Sequence, residues 1–200
     1  GVVAKAVTLS AGAEPPTGAD GDDSNKNATV DFGFVCQLCL GNQVFKDLDN
    51  DGRFEPNAGE TGIAGVKLNL YRDANGNNVH DAPDGDPIAS AQTDSSGLYS
   101  FCDLRPGAYI LQADAANFAA GAPLAGAVTS AGNESLGVAP DPDNDADNDD
   151  NGYNRPGSGI VTRAISLDCA GEPDKAVDGD GKSGNLTLDL GFYCPPTATP

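Results

Sequence analysis

Oxygen-bearing side chains recur in this sequence at the spacing of cation loops. The first run is Asp47-Leu48-Asp49-Asn50-Asp51-Gly52-Arg53. Carboxylates at positions 1, 3 and 5, a glycine at 6 and a main-chain carbonyl at 7, here that of Arg53, describe an EF-hand-like loop. The glycine makes the sharp turn that lets successive oxygens converge on one ion. Such a loop closes on a bidentate glutamate at position 12, but here position 12 is Ala58 and the closing residue is Glu60. The extra residues around Pro56-Asn57 are expected to loop outward, with Glu55 as a fallback ligand. A second run places Asp73, Asn75, Asn77, the carbonyl of Val79 and Asp81 at alternate positions, followed by Asp84 and Asp86. It carries fewer charges, so its affinity should be lower. His80, the only histidine, is expected to point out of this loop into solvent. A third run, 140–154, alternates aspartates, with Asp145, Asp147 and Asp149 the favoured ligands.

Nearly every ligand in these runs is a hard oxygen, which selects calcium over zinc or copper. Magnesium demands compact octahedral geometry and keeps its waters, which suits many-carboxylate loops less well. Carboxylates this close repel unless a cation neutralises them. Two to three or more calcium ions are therefore expected, and folding and binding should form one linked equilibrium.

The composition agrees with this chemistry. Of 30 acidic residues, 25 are Asp and 5 are Glu; 16 Asn, 26 Gly and 14 Pro complete a chain written in turn residues. Asp disfavours helix interiors, so a helical bundle is excluded. A net charge of −19 with only 11 Lys and Arg excludes nucleic-acid binding through a basic face. No apolar run is long enough to span a membrane. Catalysis lacks support: one loop histidine, no activated Ser or Cys and no strand glutamate leave no acid–base pair, and the chain reads as a non-enzyme.

Five cysteines occupy positions 36, 39, 102, 169 and 194. Cys36 and Cys39 have the spacing of half a zinc site, but no second pair or histidine completes it. In an acidic chain of extracellular character, disulfides are the better reading. Cys39 and Cys102 are the disulfide candidates, and the partners of the other three are left open.

The elements that must position these loops follow from a repeat. Residues 1–36 align without a gap onto 159–194, at an offset of 158, with 15 of 36 positions identical. The chain thus divides into a terminal strand pair at 1–36, one complete unit at 37–194 and the start of a Pro/Thr linker at 195–200. The pair at 1–36 is either the end of a preceding copy or a segment donated to a neighbour. Within the complete unit, period-two alternation marks seven strands at 41–45, 66–71, 87–93, 98–101, 108–113, 160–167 and 186–192. Interrupted by Gly121, Pro123 and Gly126, the Ala-rich stretch 113–127 reads as loop. Seven short strands between turns imply an all-β, seven-stranded antiparallel β-sandwich with long calcium-binding loops. A hairpin of 160–167 with 186–192 would set Cys169 and Cys194 at opposite ends, too far apart to bond.

The run GNQVFKDLDNDGRFEPNAGETGIAGVKLNLYRDANGN, then TDSSGLYSFCDLRPGAYIL, then NLTLDLGFY, resembles the B repeat of serine-aspartate-repeat surface proteins, a relative of the collagen-adhesin B-type domain. The resemblance implies a prealbumin-like sandwich used in tandem as a calcium-stiffened stalk on a bacterial surface, with the acidic loop at 140–154 joining the calcium cluster. The cysteines and the two-residue insertion in the first loop depart from the family pattern. Related domains form a Lys–Asn cross-link, for which Lys67 and Asn185 are the nearest candidates here, but Lys67 lies on the outward face of its strand. The expected function is that of a structural repeat module of an extracellular surface stalk or filament. Its partners are then neighbouring copies, in tandem or in a head-to-tail homopolymer. The alternative is an adhesive module that binds a host protein or carbohydrate through its loops. DGDD at 20–23 and DGDG at 178–181 recur between copies, as hairpin turns or weak further sites.

Overall fold

The segment from Leu38 alternates apolar and polar residues, buries Leu38, Leu40 and Val44, and forms the longest strand among the described residues, β1 (Leu38–Asp47). The computed structural model describes residues 3, 5–13, 15, 27–34, 36–130, 140–169, 171–174, 176–179 and 184–196. The chain forms two units, Gly1–Val35 and Cys36–Pro200. Among the described residues of the first unit no strand forms, and Val3, Val7, Leu9, Val30, Phe32 and Phe34 are exposed.

The second unit continues with β2 (Thr61–Gly62), β3 (Lys67–Arg72), β4 (Ala89–Gln92), β5 (Leu98–Leu104), β6 (Gly107–Ala113) and β7 (Val128–Thr129). It ends with β8 (Gly152–Arg155), β9 (Gly159–Thr162), β10 (Ile165–Leu167), β11 (Gly184–Asn185) and β12 (Leu190–Tyr193). Every segment expected as a strand contains one. No α-helix forms among the described residues, and the Ala-rich stretch holds only a short 3-10 turn at Ala115–Phe118.

Two sheets result. One is built around β1, which pairs with β5 and β2 antiparallel and with β11 and β12 parallel, while β7 joins β12 at the edge. The other runs β4-β3-β6-β9-β8, with β10 also on β6. Leu38, Leu40, Val44, Phe101, Leu190 and Phe192 from the first sheet meet Leu68, Leu70, Leu111 and Ile165 from the second in one core. Burying each such side chain is worth about 1.5–3 kcal/mol, and this face-to-face burial makes the fold a β-sandwich.

Two expectations are corrected. The sandwich is not purely antiparallel, because β1 lies between early and late strands of the chain and pairs with the late ones in the same direction. Parallel neighbours need a long crossover, and here nearly the whole unit supplies it. Segments 160–167 and 186–192 also form no hairpin. The first breaks at Arg163-Ala164 into β9 and β10, which pair with β6, while the second pairs with β1 in the opposite sheet. Asn78, whose side-chain oxygen accepts from Ala164 N at 2.7 Å, takes up the donor at that break.

The outward face of β3 is covered at Asn69 and Tyr71 and solvated only at Lys67. Tyr71 joins Ile110, Tyr153, Val161 and Ala164 in a second apolar cluster, and Asn69 is buried beside it. Lys67 on the same face reaches Asp114 at 2.7 Å. That ion pair, with bonds from Ala116 N and Asn69, holds the Asp114 carboxyl down at about 2.

Candidate cation-binding loops

The first acidic loop leaves β1 at its last residue. Asp47 is buried and its Oδ2 accepts from Gly52 N at 2.9 Å, which folds 47–52 into a tight turn. A 3-10 turn at Pro56–Ala58 stands outward with all three residues exposed. The insertion is thereby absorbed, and Glu60 returns to the start of the loop, buried. Its Oε1 accepts from Leu48 N at 2.7 Å and its Oε2 from Glu55 N at 2.8 Å. Carboxylate oxygens of Asp47, Asp49 and Glu60 lie within 4.8 Å of one another, as do those of Asp49, Asp51 and Glu55. Among the described residues these are the only such acidic triads.

The third loop is laid against the first by main-chain bonds. Phe54 N donates to Asn148 O at 2.9 Å and Asp150 N to Gly52 O at 2.8 Å, which makes Arg53 and Asp149 an antiparallel bridge. In a pair of this type the two residues' own N–H and C=O groups point away from each other. Arg53 N accordingly donates to Asp51 Oδ1 at 2.9 Å. The three favoured aspartates of the loop diverge. Asp145 accepts from the Asn185 amide at 2.8 Å, Asp147 from Asn42 at 2.7 Å and Asp149 from Asn151 at 3.0 Å. Burial pushes the Asp149 carboxyl up.

In the second loop Asp73 receives Gly76 N and Asn78 N, each at 2.8 Å. Asn75 and Asn77 cap the main chain two residues on and turn their amides toward Asp81. Asp84 is buried and reciprocally caps Asp81, while Asp86 and the exposed part of the loop face solvent. Val79 donates its N–H to Asn77 Oδ1. His80 does not point into solvent: it is half-buried, packs edge-on against Tyr71 at 4.3 Å and meets Ser158 Oγ through Nδ1 at 2.9 Å. Burial holds its imidazole below the ordinary range. This Ser–His contact lacks the acid that would orient a general base, because the buried Nε2 meets no protein group.

Two carboxylates that the spacing of the loops does not single out hold the arrangement together. Asp189 sits between the buried Leu188 and Leu190 and is itself buried. It accepts from Gln43 N at 3.0 Å, Asn148 N at 2.9 Å and Asn42 at 3.3 Å, tying the third loop to β1. Burial, then the nearby Asp147, drive its carboxyl well above the ordinary range. Asp150 accepts from Gly191 N at 3.0 Å, Gly152 N at 2.8 Å and Thr129 Oγ1 at 3.1 Å, and burial raises it to about 7. Gly191 is required here, since a Cβ would stand 2.7 Å from both the Phe45 ring and Ser130 Oγ. The signal for Asp189 is in the repeat: Asp31 occupies the same place in TVDFGF that Asp189 occupies in TLDLGF.

Both candidate cysteines are used, and in one bond. Cys39 on β1 and Cys102 on β5 are joined with Cα atoms 4.1 Å apart, beside the register shift between Leu38 and Leu40. A second disulfide joins Cys36 to Cys169, with Cα atoms 5.8 Å apart, and Cys194 is free and exposed. Lys67 and Asn185 stand in different sheets, each with another partner. Residues 20–23 and 180–181 of the two DGD runs lie outside the described residues, and Asp178 and Gly179 occupy a bend.

Residues 38–155 match the family model described as the SdrD B-like domain. Serine-aspartate repeat-containing protein F of Staphylococcus epidermidis is 35% identical over 88 residues, 43% of this chain and 4% of that protein. Colossin-A of Dictyostelium discoideum is 34% identical over 83 residues, 42% of this chain and 1% of that protein. The chain therefore spans only a few per cent of the length of these relatives. Among solved structures, the minor pilin GBS52 of Streptococcus agalactiae aligns over 83% of this chain and 48% of its own, at 17% identity and a TM-score of 0.41. The full-length major pilin SpaD of Corynebacterium diphtheriae aligns over 84% of this chain and 34% of its own, at 15% identity and a TM-score of 0.39. With the family model covering β1 through β8 and all three acidic loops, the chain belongs to the SdrD B-like domain family.

Proposed function

We propose that this chain is a structural repeat module of an extracellular surface stalk or filament, stiffened by calcium in its acidic loops and joined to neighbouring copies of the same domain. The observation that carries this reading is the triad Asp47, Asp49 and Glu60 at the end of β1, with the third loop laddered onto the same turn. A dication held by those hard oxygens would lock together β1 and the 55–60 segment, and through the Arg53–Asp149 bridge the 148–150 segment. Membership of a domain family found in serine-aspartate repeat proteins supports a role in a repeated array. No residue is placed here in a catalytic role.

Calcium titration of the melting curve tests the proposal. Saturation at 1,000 times Kd should add about 4 kcal/mol per site, and excess EDTA should remove it. Asp49→Ala should weaken the tightest site, while His80→Ala should leave it unchanged. An identical melting curve with calcium and with EDTA rejects calcium stiffening. The adhesive alternative rests on loop surfaces, and a glycan array with a pull-down on the isolated unit separates it from the structural reading. Among the described residues of the second unit the exposed large apolar side chains are the scattered aliphatics Leu48, Ile88, Leu98, Val128 and Val177.

A further inference from the structure

The same six places of the repeat have opposite environments in the two units. Val161, Ile165, Leu167, Leu188, Leu190 and Phe192 are between 0% and 2% exposed in the complete sandwich. Their counterparts Val3, Val7, Leu9, Val30, Phe32 and Phe34, each 158 residues earlier, are between 43% and 85% exposed. Side chains chosen for a core, in the order of a core, meet no core among the described residues of the first unit. Asp31 poses the same question in polar form, because its counterpart Asp189 is buried and takes Gln43 N of β1 and Asn148 N.

We propose that the segments 5–13 and 27–34 close the sandwich of a sister copy, whose body is equivalent to 37–158, by occupying the places that β10 and β12 occupy in the complete unit. This rests on the repeat-module reading above. The body at 37–158 of this chain is already closed by its own 159–194, so the acceptor is a second body rather than this one. In that acceptor Phe32 and Phe34 lie along the counterpart of β1 in the parallel register of Leu190 with Val44 and Phe192 with Lys46. Val7 and Leu9 lie along the counterpart of β6, in the register of Ile165 with Tyr109 and Leu167 with Gly107. Asp31 receives the main-chain donor equivalent to Gln43 N. The disulfide Cys36–Cys169 then acquires a meaning that neither cysteine shows alone. Cys36 takes the place that Cys194 holds just after β12, so it follows the closing strand of one sandwich while it is covalently fixed to the body of the next, and the bond is a joint between consecutive copies.

The repeat offset supplies the test. Joining a copy of residues 37–158 in frame ahead of Gly1 of the full chain restores the junction found at 158–159, since Gly1 and Gly159 correspond. Amide exchange is then compared in the natural chain and the fused chain, with calcium present. Peptides covering 1–34 should gain protection of at least about 100-fold in the fused chain and approach those covering 188–193. Phe32→Asp should abolish that gain without altering protection of the downstream unit. If 1–34 exchange as fast in the fused chain as in the natural one, the proposal is overturned. A control chain with 159–194 in place of 1–36 after the added body separates the causes. Protection in the control alone condemns only the assignment of 5–13 and 27–34, whereas its absence in both condemns the tandem-module reading as well.

Discussion

At the residue scale, the acids of this chain divide into those that face a common point and those that receive main-chain donors. Asp47, Asp49 and Glu60 converge at the first loop and were legible from their positions alone, because a cation loop is a local pattern. Asp189 and Asp150 were not legible in that way. The main-chain donors that tie them across the fold lie far off in sequence, Gly191 41 residues from Asp150, and Asn148 and Gln43 41 and 146 residues from Asp189, on segments that only the fold brings near. A buried carboxylate that satisfies several amides is costly to remove, because each orphaned donor loses about 1–3 kcal/mol. Asp189→Ala should therefore destabilise the second unit by about 2–5 kcal/mol, given two orphaned main-chain N–H groups. It should also release the 140–151 segment to protease. Denaturant unfolding of the variant checks the first effect, and limited proteolysis the second. His80 was misplaced for the same reason as Asp189 was missed: Ser158, its partner, stands 78 residues away.

At the scale of elements, alternation exposed each strand that buries one face over four or more residues. It did not expose β2, β7 and β11, because two residues cannot show a period, nor β8, whose buried Gly152 and Tyr153 are adjacent rather than alternate and lie at the end of the acidic run. Nor could it expose the parallel pairing of β1 with β12, since strand direction leaves no mark on which side chains are apolar. The disulfide between Cys39 and Cys102 pins the one place where the β1–β5 register slips. Replacing both cysteines by serine should cost about 2–4 kcal/mol by loosening the unfolded-state constraint on the loop between them. Thermal unfolding of the double variant should keep a single transition at a lower midpoint. A midpoint equal to that of the parent would mean that backbone pairing alone holds this register.

For the whole molecule, the feature with the widest consequence is the bond between Cys36 and Cys169, 133 residues apart. Consider the chain under tension from its two ends, the load a stalk or filament carries. Force arriving along residues 1–35 enters the second unit at Cys36 and leaves through the sulfur bridge at Cys169. Strands β1 to β10, all three acidic loops and the Cys39–Cys102 bond lie between those points and outside the loaded path. Only the segment after Cys169, with β11 and β12, can be peeled away. At about 3.5 Å per extended residue, the bridge withholds roughly 460 Å of slack. Single-molecule pulling from the termini should therefore show a short extension under oxidising conditions and one longer by roughly that amount after reduction with a thiol. In the oxidised module extension is left to residues 1–35 and to the segment after Cys169, so the bridge caps it covalently while the enclosed sandwich carries no load.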